Sequence, residues 1–515
     1  MKGRTQTNNR RVPACRRAMV LVIVLVAISL LSLAGYTFAE MMFAEHEAVH
    51  IHGRGIQTRA LVDSGVELVK LYLEQTPDVL QEIGGLYDNP ALFQGVPVID
   101  HTSARRRGRF SVVSSGLDES GYAAVRYGLA DESARLNINA IIQMEDANAG
   151  DGRQLLMALP GMTEELADAI LDFLDADDTI RELGAEINEY SGMVPAYGPK
   201  NGPLESLEEL LLVRGMAPSL LFGADMNRNG MIDEHEQAGT NIEGVDNSDG
   251  SMDRGWSAYL TIYSQEALVD PDGQQRIDLN GDDLETLHDD LAAILDNEKA
   301  AFIVAYRQFG PAETDAPGVS ADSVALDFEQ EGGTRIESVL DLVGVKVELP
   351  AEEGQEPIVL ESPFSDRPSD MDGYLPELLD YVTVDAEPLV AGRININQAP
   401  RVVLLAIPGM DEQTADRIIS RRYPEVTAEN PAHRHPTWLL SEEIVTLERM
   451  KQWLPILTSA GGVYRAQVVG YFDEGGPASR AEVVVDTTGG SARVLSLKNM
   501  SHLGRGYTLE TLGVQ

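Results

Sequence analysis

The hydrophobic pattern opens on an unbroken run. From Ala18 to Ala39 the chain reads AMVLVIVLVAISLLSLAGYTFA, 22 residues without a charge. At helical rise this reaches roughly 30 Å, the depth of a bilayer's hydrocarbon layer. Lys2, Arg4, Arg10, Arg11, Arg16 and Arg17 precede it with no acid among them. The positive-inside rule then predicts a cytoplasmic N-terminus and an exported remainder. A cleaved secretory signal also starts basic, but its apolar core is shorter, roughly 7–15 residues, and ends at a small-x-small site. Tyr36-Thr37-Phe38-Ala39 matches such a site poorly, which favours a retained helix.

Beyond Glu40 the helical spacing continues to Leu73, with Ala60, Leu61, Val66, Leu68, Val69, Leu71 and Tyr72 as an apolar stripe. Gly53, Gly55 and Gly65 are expected to weaken or bend this helix, and Thr76-Pro77 to stop it. The period then shortens. Residues 109–114 and 122–129 read as two strands around a Gly/Asp/Ser turn at 115–121. Near the C-terminus, 462–471 and 479–486 alternate cleanly around an Asp/Glu/Gly-Gly-Pro turn. The four strands predict one antiparallel sheet packed on the stripe.

Between the two hairpins the pattern repeats. Arg135-Leu-Asn-Ile-Asn139 is echoed by Arg393-Ile-Asn-Ile-Asn397 and, more weakly, by Arg276-Ile-Asp-Leu-Asn280. After the first and last copies stand Leu155–Met162 and Val403–Met410, each ending in Leu/Ile-Pro-Gly-Met and followed by a second apolar stretch. Each reads as a helix-hairpin-helix unit. Such a unit binds DNA when the turn's N–H groups face a phosphate. Here Glu164, Glu165 and Asp168 flank one turn, and Asp411, Glu412 and Asp416 the other. Carboxylates at that mouth repel a phosphate, so the units read as packing modules.

Composition sharpens this. The chain has 82 acidic and 40 basic residues, a formal charge of −42. Bare nucleic acid is disfavoured, and divalent cations are favoured. The lone Cys15 precedes the apolar run, so no disulfide holds the exported part.

Two motifs carry candidate chemistry. Asp225 to Glu236 matches the twelve-residue EF-hand loop: Asp225, Asn227 and Asn229 at positions 1, 3 and 5, Gly230 at 6, the Met231 carbonyl at 7, Asp233 at 9 and Glu236 at 12. Hard oxygen ligands at this spacing wrap one calcium ion, in a stapling role. Acidic clusters at 172–178, 246–250 and 278–283 are weaker candidates of the same kind. His46-Glu47-Ala48-Val49-His50 has the zinc-protease spacing, but it lies about two turns beyond the membrane run without a third ligand or a cleft. No serine, cysteine or phosphate-loop constellation replaces it, so no enzyme is expected.

Together these parts resemble the K class of minor pseudopilins of type II secretion, the general secretion pathway protein K family, over nearly the whole chain. The resemblance rests on the leader and apolar helix, Asp131–Asn139, Leu171–Asp178, Gly184-Ala-Glu186, Asn201–Leu210 and Ile394–Pro400, in that order. It implies an α+β fold: a pilin-like long N-terminal helix on an antiparallel sheet, with a large, mainly helical inserted domain. The expected division is a basic leader at 1–18, a transmembrane helix at 19–39, spike helix and first strands at 40–130, the insert at 131–455 and closing strands at 456–515. The resemblance implies bound calcium, a place at the pseudopilus tip beside other minor pseudopilins, and an anchor in the inner membrane with the head in the periplasm. A prepilin peptidase would cut at Ala18-Met19, where such leaders usually carry Gly. Ile23 stands where most pilins carry Glu at the fifth mature residue, and the K class lacks that Glu too. Residues 223–350 look larger than the family pattern needs. The alternative is a membrane-anchored, competence-type DNA receptor.

Overall fold

The computed structural model describes residues 15–117, 123–147, 150–236, 245, 247–324, 326–328, 330–350, 357–427 and 430–514. Most of the leader, part of the turn expected at 115–121, and Asp246 lie outside them.

One helix, α1 (Cys15–Leu73), runs unbroken for 59 residues. Its apolar N-terminal part is exposed and long enough to cross a membrane, with a mean hydropathy of 2.6 over its best window. The glycines expected to bend it do not interrupt it. Leu61, Val62, Val66 and Val69 form the buried stripe, at helical spacing. Leu71, expected there, is 54% exposed, because two residues past Val69 the helix has turned to its far side.

The stripe packs on a seven-stranded antiparallel sheet: β1 (Val96–Ile99), β2 (Gly108–Leu117), β3 (Ala123–Arg126), β4 (Ala130–Asp131), β5 (Val463–Phe472), β6 (Ser479–Asp486) and β7 (Arg493–Asn499). The order is β1-β2-β5-β6-β7, with β3 on β2 and β4 on β5. Both expected hairpins are present. β2 meets β5 with Val113 opposite Gln467, so distant parts of the chain close one sheet.

Two glycines bring the layers together. A Cβ at Gly65 would lie 2.5 Å from Val468 Cγ1, and one at Gly470 would lie 2.3 Å from the Thr58 carbonyl. The resulting core holds Val66, Phe93, Phe110, Val112, Val468 and Val483.

The insert has its own core and is built from three copies of one unit. In each, two residues of the Arg-x-Asn-x-Asn repeat pair in parallel with a strand ending in Thr. Leu136–Asn137 joins Leu260–Thr261, Ile277–Asp278 joins Val382–Thr383, and Ile394–Asn395 joins Leu457–Thr458. The Asn or Asp at the middle of each repeat caps the N–H two residues on: Asn137 at 3.1 Å, Asp278 at 2.9 Å and Asn395 at 2.9 Å. Each closing Thr does the same for Tyr263, Asp385 and Ala460. A helix pair follows each repeat: α2 (Asp151–Met157) with α3 (Glu164–Leu174), α4 (Leu284–Ile294) with α5 (Asn297–Phe309), and α6 (Arg401–Ala406) with α7 (Glu412–Arg421). The segment expected to be surplus to the family pattern thus contains a third copy of the repeat.

Insert and sheet meet in a buried polar joint. Asp131 accepts from Asn395 Nδ2 at 2.8 Å and from Gly461 N at 2.7 Å. The fully buried Glu132 takes Arg465 Nε at 2.7 Å and Arg135 Nη1 at 3.1 Å.

Candidate metal centre

The loop Asp225–Glu236 follows a short helix, Pro218–Phe222, and is turned by Gly223 against the backbone of Met252 and Asp253. Its backbone reaches positive φ at Arg228 and Gly230. The second needs glycine twice over, because a Cβ there would also sit 2.3 Å from Ser115 Cβ on β2.

Inside the loop the expected ligands face one another. Asp225 Oδ1 accepts from Asn229 N at 3.1 Å and Oδ2 from Gly230 N at 2.8 Å. Asp233 Oδ2 accepts from the side-chain amides of Asn227 at 2.6 Å and Asn229 at 3.2 Å. Glu236 folds back across the loop, Oε1 taking Asn227 N at 3.2 Å and Oε2 taking Asp233 N at 3.0 Å. Asp225, Asn229 and Glu236 are buried. Burial pushes the Asp225 carboxyl up to about 6, helped by the Glu236 charge and opposed by the N–H groups of Gly230 and Asn229. The Met231 side chain packs against the core of Val113, Val469 and Tyr471.

One residue outside the expected set joins the site. The ligating atoms of Asp233, His235 and Glu236 lie within 4.8 Å of one another. The EF-hand spacing gives no role to position 11, so only the fold brings His235 in.

The loop is also a dock. Asn229 Nδ2 donates to the Gly506 carbonyl at 2.7 Å, Tyr507 Oη donates to the Asn229 carbonyl at 3.0 Å, and Gln467 Nε2 donates to the Arg228 carbonyl at 2.7 Å. Buried Arg480 donates to the Asn227 carbonyl. A site in the insert is thereby held against β5, β6 and the C-terminal segment.

A second acidic cluster joins two motifs that the sequence separates. Buried Asp172 and Asp175 both pair with Arg181, the first at 2.7 Å. Buried Glu186 lies close by, neither carboxylate oxygen hydrogen-bonded. Burial raises its carboxyl to about 7, with the charges of Asp172 and Asp175 adding to the effect. Gly184 makes room, since a Cβ there would fall 1.8 Å from Asp172 Oδ2. The other two clusters serve local structure: at 246–250, where Asp246 lies outside the described residues, Asp249 accepts from Ser251 N and Asn247 from Met252 N, and at 278–283 Asp278 caps Asn280 N and Asp283 caps α4.

The Pro-Gly turns are covered rather than presented. Trp256 Nε1 donates to the Pro160 carbonyl at 2.9 Å, and Trp453 Nε1 to the Pro408 carbonyl at 2.8 Å. Val245 lies over Gly161, and the Arg449 guanidinium over Gly409. His46, Glu47 and His50 lie on an exposed stretch of α1.

Residues 134–222, the first copy of the unit up to the threshold of the calcium-type loop, match the family described as "Type II secretion system (T2SS), protein K". This segment is similar to the protein K family. A curated relative, Type II secretion system protein K of Pseudomonas aeruginosa, is 35% identical over 105 residues, 19% of this chain and 31% of that protein. The match therefore spans about a third of that protein K's length. The crystal structure of the GspK-GspI-GspJ complex of the enterotoxigenic Escherichia coli type 2 secretion system overlays with a TM-score of 0.33 at 13% identity, covering 88% of this chain and 99% of that one. The second cluster, Asp172 to Glu186, lies wholly within the protein K segment; the Asp225–Glu236 loop lies just outside it.

Proposed function

We propose that this chain is a minor pseudopilin of type II secretion, anchored by α1 in the inner membrane with its head in the periplasm. In this reading a prepilin peptidase trims the leader between Ala18 and Met19, and the head sits at the pseudopilus tip beside other minor pseudopilins, where it initiates or caps the filament. The observation that carries it is one continuous helix, bare and apolar at one end and packed on a pilin-like sheet at the other, in a chain with a protein K segment. The bulk of the insert suits a terminal position, where no subunit stacks above it. Ile23 suits it too, since a capping subunit has no neighbour above whose terminal amine needs an acid partner. N-terminal sequencing of the membrane-extracted protein tests the reading: a start at Met19 supports it, and a start beyond Ala39 on a freely soluble product overturns it. Co-purification with other pseudopilins is the expected companion result.

We further propose that calcium binds Asp225, Asn227, Asn229, the Met231 carbonyl, Asp233 and Glu236, stapling insert to sheet. Buried Glu186 with Asp172 and Asp175 offers a second acidic site. Calcium added to chelator-treated protein should raise its melting temperature, and Asp225→Asn with Glu236→Gln should remove most of that gain. An unchanged melting temperature in the wild type would sink the calcium reading. A DNA receptor is disfavoured by the covered turns and the net charge; no salt-sensitive gel shift is expected.

A further inference from the structure

A pocket at the neck of the molecule is cationic in a chain that is otherwise strongly acidic. It is a cavity of about 560 Å³ between α1 and the segment joining β1 to β2, lined by His50, Gly53, Arg54, His101, Arg105 and Arg106 among others. Among the described residues no carboxylate lines it, although acids outnumber bases 82 to 40 in the chain. The larger cleft between insert and sheet is different: Glu205, Glu208, Asp225 and Glu482 balance its arginines.

The pocket's groups are held in place, and Arg54 also feels the charge of Glu474. Arg54 Nη2 donates to the Arg105 carbonyl at 3.0 Å and the Gly475 carbonyl at 3.3 Å, and its guanidinium lies 4.4 Å from the Phe472 ring centroid. Asp473 is already taken by Arg107 at 2.9 Å and Arg109 at 2.8 Å. Arg105 and Arg106 are exposed and have no ion pair among the described residues. Gly53 leaves the wall open, since a Cβ there would meet nothing within 4 Å.

Position decides the partner. Met41, Met42 and Phe43 are exposed and extend the apolar surface past Ala39. Along α1, His50 stands about 16 Å past Ala39, where the uncharged run ends, and about 10 Å past Phe43, and the headgroup layer itself is roughly 6 Å deep. The pocket therefore opens about 4–10 Å above the headgroup layer, on the order of one Debye length of ~8 Å and within reach of extended arginine side chains. Arg105 and Arg106, without an ion pair among the described residues, beside Arg54, which shares the field of Glu474, suit a phosphodiester.

We propose that this neck pocket binds the phosphate headgroup of an anionic phospholipid. The inference rests on the reading of α1 as a membrane anchor. Lipid contact there fixes how far the head stands from the bilayer and how it is rotated about α1.

The test reconstitutes the full chain in nanodiscs of phosphatidylcholine with a minority of phosphatidylglycerol and counts retained lipids by native mass spectrometry. Phosphatidylglycerol should be retained above its bulk share, and Arg105→Ala and Arg106→Ala should each lower that enrichment about fivefold. Gly53→Glu, whose Cβ meets nothing within 4 Å, adds a carboxylate at the pocket wall and should abolish it. Retention at the bulk share, enrichment unchanged in the three variants, or loss of enrichment to millimolar inorganic phosphate would overturn the proposal, the last by showing a site for free anions. The anchor is tested separately: release of the full chain from native membranes by alkaline carbonate would refute it without touching the pocket.

Discussion

At the residue scale the decisive groups are buried acids, and they pull in opposite directions. Glu132, clasped by Arg465 and Arg135, is held down at about 2 despite its burial. Its contribution is present above the ordinary carboxylate value near 4.5 and is lost as pH falls toward 2. Arg465→Met should cost about 3–5 kcal/mol in chemical denaturation, because it strands a buried charge, and Glu132→Gln made in the same background should recover part of the loss. Asp225 and Glu186 behave the other way, raised to about 6 and about 7. Both bind protons more tightly folded than unfolded, so in metal-free protein their own contribution to stability is fullest below pH 4 and is lost as pH passes 6 to 7. Calcium competes for the same oxygens. The calcium-induced rise in melting temperature should therefore be larger at pH 8 than at pH 5, as a thermal scan in chelator and in calcium will read. The loop's candidate ligands were legible because twelve-residue spacing encodes a local ring. The roles of Asp131 and Glu132 were not, since their partners Asn395, Gly461 and Arg465 lie hundreds of positions away.

At the element scale the sequence carried periodicity well and contact poorly. Both hairpins and the long helix followed from alternation and helical spacing, and two of the three repeats from near-identical words. β1 and β7 escaped notice: β1 is only Val-Pro-Val-Ile, and β7, at the sheet edge, exposes Leu495 and Leu497. The glycines of α1 read as helix breakers, but Gly65 is a packing residue whose reason sits on β2 and β5. The distinction is measurable. Gly470→Ala should destabilise by about 1–3 kcal/mol, because its methyl group meets the Thr58 carbonyl. Gly53→Ala, facing open space, should stabilise by roughly 0.5–1 kcal/mol, since alanine loses less backbone freedom in a helix. Thermal melts of the full chain in detergent compare the two.

At the scale of the whole molecule, a charge of −42 sets a self-repulsion that every fold contact must outweigh. Added monovalent salt should raise the melting temperature of metal-free protein by screening, and calcium at equal ionic strength should raise it further. The sheet's closure has another consequence. Val113 and Gln467 are neighbours about 350 residues apart, a separation whose loop-closure entropy is on the order of 5 kcal/mol. A ribosome makes the stem first and its cover last. Until β5 and β6 have been translated, the stripe of Val62, Val66 and Val69 has only Phe93 and β2 to cover it and lacks Val468 and Val483, while the middle of the chain already has a core of its own to condense around. A nascent chain stopped short keeps a sticky stem on display and is marked for quality control. Only a finished polypeptide hides it, so completeness of synthesis is written into the topology.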